Sequence, residues 1–105
     1  MNNKTLTLLG FASKAGKLSY GMQKSCEALK TNKTKLIVCA EDISQKTLKE
    51  ITFFACNKNV KTVTLNVTVD DLSAAVGRKC GVISVNDDGF AQAIFNQEAK
   101  IDAND

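Results

Sequence analysis

The sequence predicts an α/β fold, a three-layer α/β/α sandwich built over a four-stranded mixed sheet. Leu36-Ile37-Val38-Cys39-Ala40 is an unbroken apolar run without the alternation of a half-exposed strand, so both of its faces should be covered. Helical and strand-like periodicities alternate along the whole chain, the order expected when helices pack on a sheet. The chain of 105 residues, 44% hydrophobic and without proline, has material for one core and not two. Residues 1–105 are therefore read as a single domain.

The elements follow in order. Lys4 to Ala15 carries Leu6, Leu8, Leu9 and Ala12 at helical spacing and is closed by Gly16-Lys17. Leu18-Ser19-Tyr20 is a short strand, and Gly21 turns the chain into the next helix. From Met22 to Asn32 the helical phase puts Met22, Cys26 and Leu29 inside and Gln23, Lys24 and Glu27 outside. A basic turn, Lys33-Thr34-Lys35, leads into the central strand. Asp42 or Ser44 is expected to cap the third helix, with Gln45 completing a weak capping box on Asp42.

That helix should run to about Lys58, burying Leu48, Ile51 and Ala55 with Phe54 at the margin. Phe53 lies about 140° around the wheel from Leu48, among Lys46, Lys49 and Glu50. Cover by a neighbouring element is the expected reading, and an exposed contact residue is the alternative. Val60 to Leu65 alternates as a strand, and Asp70-Asp71 suits the first turn of a helix carrying Leu72, Ala75 and Val76 and stopped by Gly77. Val82-Ile83-Ser84-Val85 is the last strand, and Asp87 should cap a helix with Phe90, Ala91 and Ile94 inward. The polar stretch 97–105 is expected to fray.

The net charge of +3 is unevenly spread. Residues 1–61 hold eleven lysines against four acids, whereas residues 62–105 hold three basic groups against seven acids. A lysine-rich half suits a polyanion partner, and is equally explained by a solvated lysine surface. No apolar stretch approaches the roughly 20 residues of a membrane span, so a soluble, cytoplasmic protein with no membrane partner is expected. Cys26, Cys39, Cys56 and Cys80 form no Cys-x-x-Cys pair and the chain has no histidine. Four small buried thiols are expected, with no metal site and no cofactor.

Catalysis finds little support. Between Gly10 and Gly16-Lys17 there are five residues instead of a phosphate loop's four, and Leu18 stands in the Ser/Thr position. Without histidine, a nucleophile signature or a dinucleotide fingerprint, the protein is read as no enzyme. Glu41 and Asp42 are then helix-start acids.

Leu9-Gly10, Ala15-Gly16-Lys17-Leu18 with Gly21, Ala28-Leu29-Lys30, Lys35 to Asp42, Asn59-Val60, Leu72 with Ala75-Val76-Gly77, and Asp87 to Ala91 together carry a resemblance. The sequence resembles the kink-turn RNA-binding ribosomal protein superfamily (large-subunit ribosomal protein seven-Ae type), most of all its bacterial YlxQ-like branch. The resemblance implies an α/β/α fold that grips sheared G·A pairs of a kinked RNA stem with the start of the second helix, while the loop before the fourth helix meets an extruded nucleotide. Two, three and six positions after the glycine the family has Asn, Glu and Lys. Here Gln23, Lys24 and Glu27 stand there, and Ser73 replaces a glycine after the leucine.

The resemblance and the flanking charges together give the candidate RNA contacts: Lys17, Gly21, Gln23, Lys24, Glu27, Lys33, Lys35, Glu41, Asp42, Val67, Thr68 and Val69. The expected partner is structured RNA, a ribosomal RNA or a kink-turn stem. The alternative is a protein-binding adaptor on the same fold, with the RNA site lost and Phe53 as the contact.

Overall fold

The computed structural model describes residues 3–103, with side-chain surroundings through residue 99. Helices and strands alternate as α1 (Lys4–Lys14), β1 (Leu18–Tyr20), α2 (Gly21–Lys30), β2 (Leu36–Cys39), α3 (Gln45–Asn57), β3 (Thr62–Thr64), α4 (Val69–Val76), β4 (Val82–Val85) and α5 (Asp88–Ala103). The sheet order is β1-β4-β2-β3, with β4 antiparallel to both its neighbours and β2 parallel to β3. The sheet is thus mixed, and β2 is interior as its apolar run requires.

Side-chain alternation divides the core into two halves. Leu36 and Val38 of β2 with Ile83 and Val85 of β4 pack against Leu9, Leu72 and Ile94 from α1, α4 and α5. Ile37 and Cys39 with Val82 face the other way, against Leu29 of α2 and Ile51 and Ala55 of α3. The register pairs Leu36 with Val85 and Cys39 with Val82, so each face reads continuously across the two central strands.

Ser84 shares the second face but is not apolar. Its hydroxyl lies 2.8 Å from the Thr34 hydroxyl and 2.6 Å from Asn86 Oδ1, and the Asn86 amide donates to Ser19 Oγ at 2.9 Å. This seam satisfies polar groups that would be costly to bury alone.

Of the two caps expected for α3, Ser44 is the one used, accepting the Thr47 N–H at 3.1 Å, so the weak capping box of Asp42 with Gln45 does not form. Asp42 instead reaches across the chain and accepts the Val69 N–H at 2.8 Å, an orphan donor in the first turn of α4. Helix α5 extends to Ala103, and residues 104–105 of the stretch expected to fray lie outside the described residues. Thr5 donates its hydroxyl to Glu98 at 2.5 Å, an anchor on α1 that hydropathy does not reveal. Phe53 is 62% exposed, against the expectation that a neighbour covers it, because it lies on the side of α3 turned away from the buried Ile51 and Ala55. The thiols are not uniformly inside either: Cys39 and Cys80 are buried, Cys26 is half-buried and Cys56 is exposed, and all are free.

Candidate nucleic-acid interface

The sheet has two ends, and the chain direction assigns residues to them. Strand β1 runs toward Gly21, β2 toward Glu41, and β3 toward Leu65, so these termini lie along one rim. The Glu41 N–H donates to the Val67 carbonyl at 2.8 Å and the Ala40 N–H to the Gly81 carbonyl at 2.9 Å, which ties the connections after β2 and β3 to each other and to the one entering β4. Gly21 opens α2 with φ +87°, a left-handed conformation that favours glycine. Tyr20 precedes it without a side-chain cap, leaving the first N–H groups of α2 directed at this rim. Gln23, Lys24 and Glu27 follow on the exposed face, as their helical phase predicts.

Lys24 and Glu27 form an exposed ion pair at 3.5 Å. Such a pair contributes little to stability, but it offsets the cation nearest the start of α2. Glu41, Asp42, Asp70 and Asp71 are also exposed at this rim, so its electrostatic character is mixed.

The loop triad behaves differently from a set of exposed contacts. Val67 is only 5% exposed and belongs to the core, so little of its side chain is open to a ligand. Val69 packs against the same core as the first residue of α4. Thr68 is the N-cap, accepting the Asp71 N–H at 3.1 Å while the Asp71 carboxylate takes the Thr68 N–H, a reciprocal capping box. The close approach of Gly81 went unnoticed in the sequence. A Cβ there would stand 2.7 Å from Ile43 Cγ2 and 3.1 Å from Val69 Cγ2, and a glycine before a strand carries no signal of that contact.

The remaining candidates are elsewhere. Lys17 precedes β1, Lys33 follows α2, and Lys35 precedes β2, its N–H donating to the Val85 carbonyl at 2.8 Å. All three belong to the opposite end of the sheet, about 15 Å away along the ten residues of α2. The structure therefore places Gly21, Glu41, Asp42 and Thr68 along one rim of the sheet, runs Gln23, Lys24 and Glu27 away from it along α2, and separates Lys17, Lys33 and Lys35.

Burial pushes the Cys39 thiol up to about 12 and raises Cys80, and it raises Cys26 despite the opposing charge of Lys30. These thiols are held protonated, away from nucleophilic chemistry. Among the described residues no group of three His, Cys, Asp or Glu side chains could hold a metal ion, and no helix is long and apolar enough to cross a membrane.

A mixed sheet of this order, covered by α1, α4 and α5 on one face and α2 and α3 on the other, defines a small α/β/α protein type found in other solved structures. A protein of unknown function from Bacillus halodurans superposes with a TM-score of 0.86 at 24% identity, covering 90% of this chain and 96% of its own. The Giardia lamblia 15.5kD RNA binding protein superposes with a TM-score of 0.76 at 16% identity, covering 98% of this chain and 92% of its own. No curated protein matches in sequence. The sequence model of the Ribosomal protein L7Ae/L30e/S12e/Gadd45 family matches residues 3–95, and the chain belongs to that family.

Proposed function

We propose that this protein is a non-catalytic, cytoplasmic RNA-binding module that engages a structured RNA, of the kink-turn or ribosomal kind, through the rim at the start of α2. The observation that carries the reading is the uncapped start of α2 at Gly21, continuing into the exposed Gln23, Lys24 and Glu27. Uncapped N–H groups suit phosphate or carbonyl oxygens, and the Gln23 amide can pair with a base edge. Family membership and the fold shared with an RNA-binding protein of Giardia support the same reading.

Glu27 gives the test. Its carboxylate both repels phosphate and occupies Lys24. Glu27→Lys removes both effects, so binding to a kink-turn stem should strengthen by roughly 1 to 3 kcal/mol, with a matched plain duplex gaining less. Titration of both RNAs against both proteins checks this. Unchanged stem affinity, or equal gains on the two RNAs, would contradict a kink-turn-reading helix.

A second reading rests on α3. Phe53 and Phe54 are 62% and 42% exposed, with ring centroids 5.8 Å apart in an edge-to-face arrangement. Such a pair suits a protein contact, and the adaptor reading would account for it.

A further inference from the structure

We propose that the end of the sheet opposite the α2 start is a second phosphate-binding surface, formed by Lys35, Lys58 and Lys61, that grips RNA backbone without sequence preference. The inference rests on the RNA-binding reading and extends it to a surface that the start of α2 does not include. Two adjoining pockets of about 300 and 270 Å³ open there, and Lys35, Asn59 and Asp88 line both. Lys61 lines the first and Lys58 the second, so three lysines line two adjoining pockets.

Their positions are built. Helices α2 and α3 end side by side in the same way, with Asn32 and Asn59 at φ +61° and +58° in the left-handed conformation that Asn tolerates. Lys58 Nζ donates to Asn32 Oδ1 at 3.4 Å, joining the two turns. The Lys61 ammonium sits over the Phe95 ring, 4.5 Å from its centroid, which holds it at the mouth of the first pocket.

Lysines often follow helix ends because they offset the negative end of the helix dipole, and Lys58 has that explanation available. Lys35 and Lys61 do not, since each immediately precedes a strand. Nor do acids account for them. The Lys24–Glu27 pair is the only salt bridge among the described residues. The Asp87 carboxylate is engaged by the Phe90 N–H at 2.9 Å, which leaves Asp88 as the acid facing the pockets. Three lysines against one acid leave an excess of positive charge that attracts a polyanion, and each phosphate neutralised releases counterions.

A groove of about 290 Å³ lies along α2 beside β1, lined by Ser19, by Lys24 and Glu27 nearer its start and by Thr31 and Lys33 at its close.

The experiment measures affinity against salt for the full chain and for Lys35→Gln/Lys58→Gln/Lys61→Gln, with a plain RNA duplex and a kink-turn stem as probes. The triple variant should bind both RNAs at least about tenfold more weakly at low salt, with a log-log salt slope shallower by roughly 2 to 3 and an unchanged stem-to-duplex preference. Should loss of Lys61 disturb Phe95, seen as a lowered melting temperature, the double variant Lys35→Gln/Lys58→Gln should still flatten the slope by roughly 1 to 2. An unchanged slope in variants of a protein that binds RNA would overturn the second surface and leave the α2 reading standing. A parent protein that binds neither RNA at low salt would overturn both.

Discussion

Two residues on β2 and α2 set opposite chemical tones for this molecule. Cys39 is fully buried in the half of the core that faces α2 and α3, and its surroundings raise its pKa from the ordinary 9.0 to about 12. The folded chain therefore keeps the thiol proton over a pH range in which the unfolded chain releases it. Its contribution to stability is fully present below about pH 9 and is lost as pH rises toward 12, with a limiting slope of about 1.4 kcal/mol per pH unit. Urea midpoints at pH 8 and pH 10.5 should fall further for the parent than for Cys39→Ala, because titration of every other group is common to both proteins. Parallel losses would show that the thiol does not sense its burial. Glu27, by contrast, is exposed, and its effect is expected on the ligand rather than on the fold.

At the scale of elements, most of the architecture was legible because each helix and strand carries its own periodicity. The buried stripe of α3, the outer face of α2 and the alternating faces of β2 all follow from local phase. What local phase could not give is any partner more than a few residues away. Asp42 reads as a cap for the helix that follows it, yet its acceptor role is for Val69, brought beside it by the parallel pairing of β2 and β3. The Thr5 hydroxyl likewise meets Glu98, a partner at the far end of the sequence that local phase does not reveal. The candidate site divided for the same reason. Lys17, Lys33 and Lys35 flank α2 in sequence, but the register sends them to the end away from Gly21.

Helix α4 tests how far the rim depends on such connections. Its eight residues start with the Thr68–Asp71 capping box and end at Gly77, whose φ of +79° closes the last turn. Thr68→Ala should cost about 1 kcal/mol, seen as a melting temperature lower by roughly 4 to 8 °C. An unchanged melting temperature would mean that the Asp42 carboxylate alone suffices for the exposed N–H groups of this turn.

For the whole molecule, the small net charge of +3 conceals a polarity that the fold creates. Acids from the connection after β2 and from the first turn of α4 lie along the same rim as the start of α2, while lysines from three separate connections gather at the other end of the sheet. A ligand that needed only positive charge would prefer the lysine end, whereas one read by shape and base edges has reason to use the rim at Gly21. The central claim is that RNA engages this rim. Amide chemical shifts of the isotopically labelled protein, followed as a kink-turn stem is added, test it most directly. The account predicts the largest changes at Gly21, Gln23 and Lys24, together with Glu41, Asp42 and Thr68. Binding that leaves those amides unmoved, or an absence of binding at low salt, would contradict it.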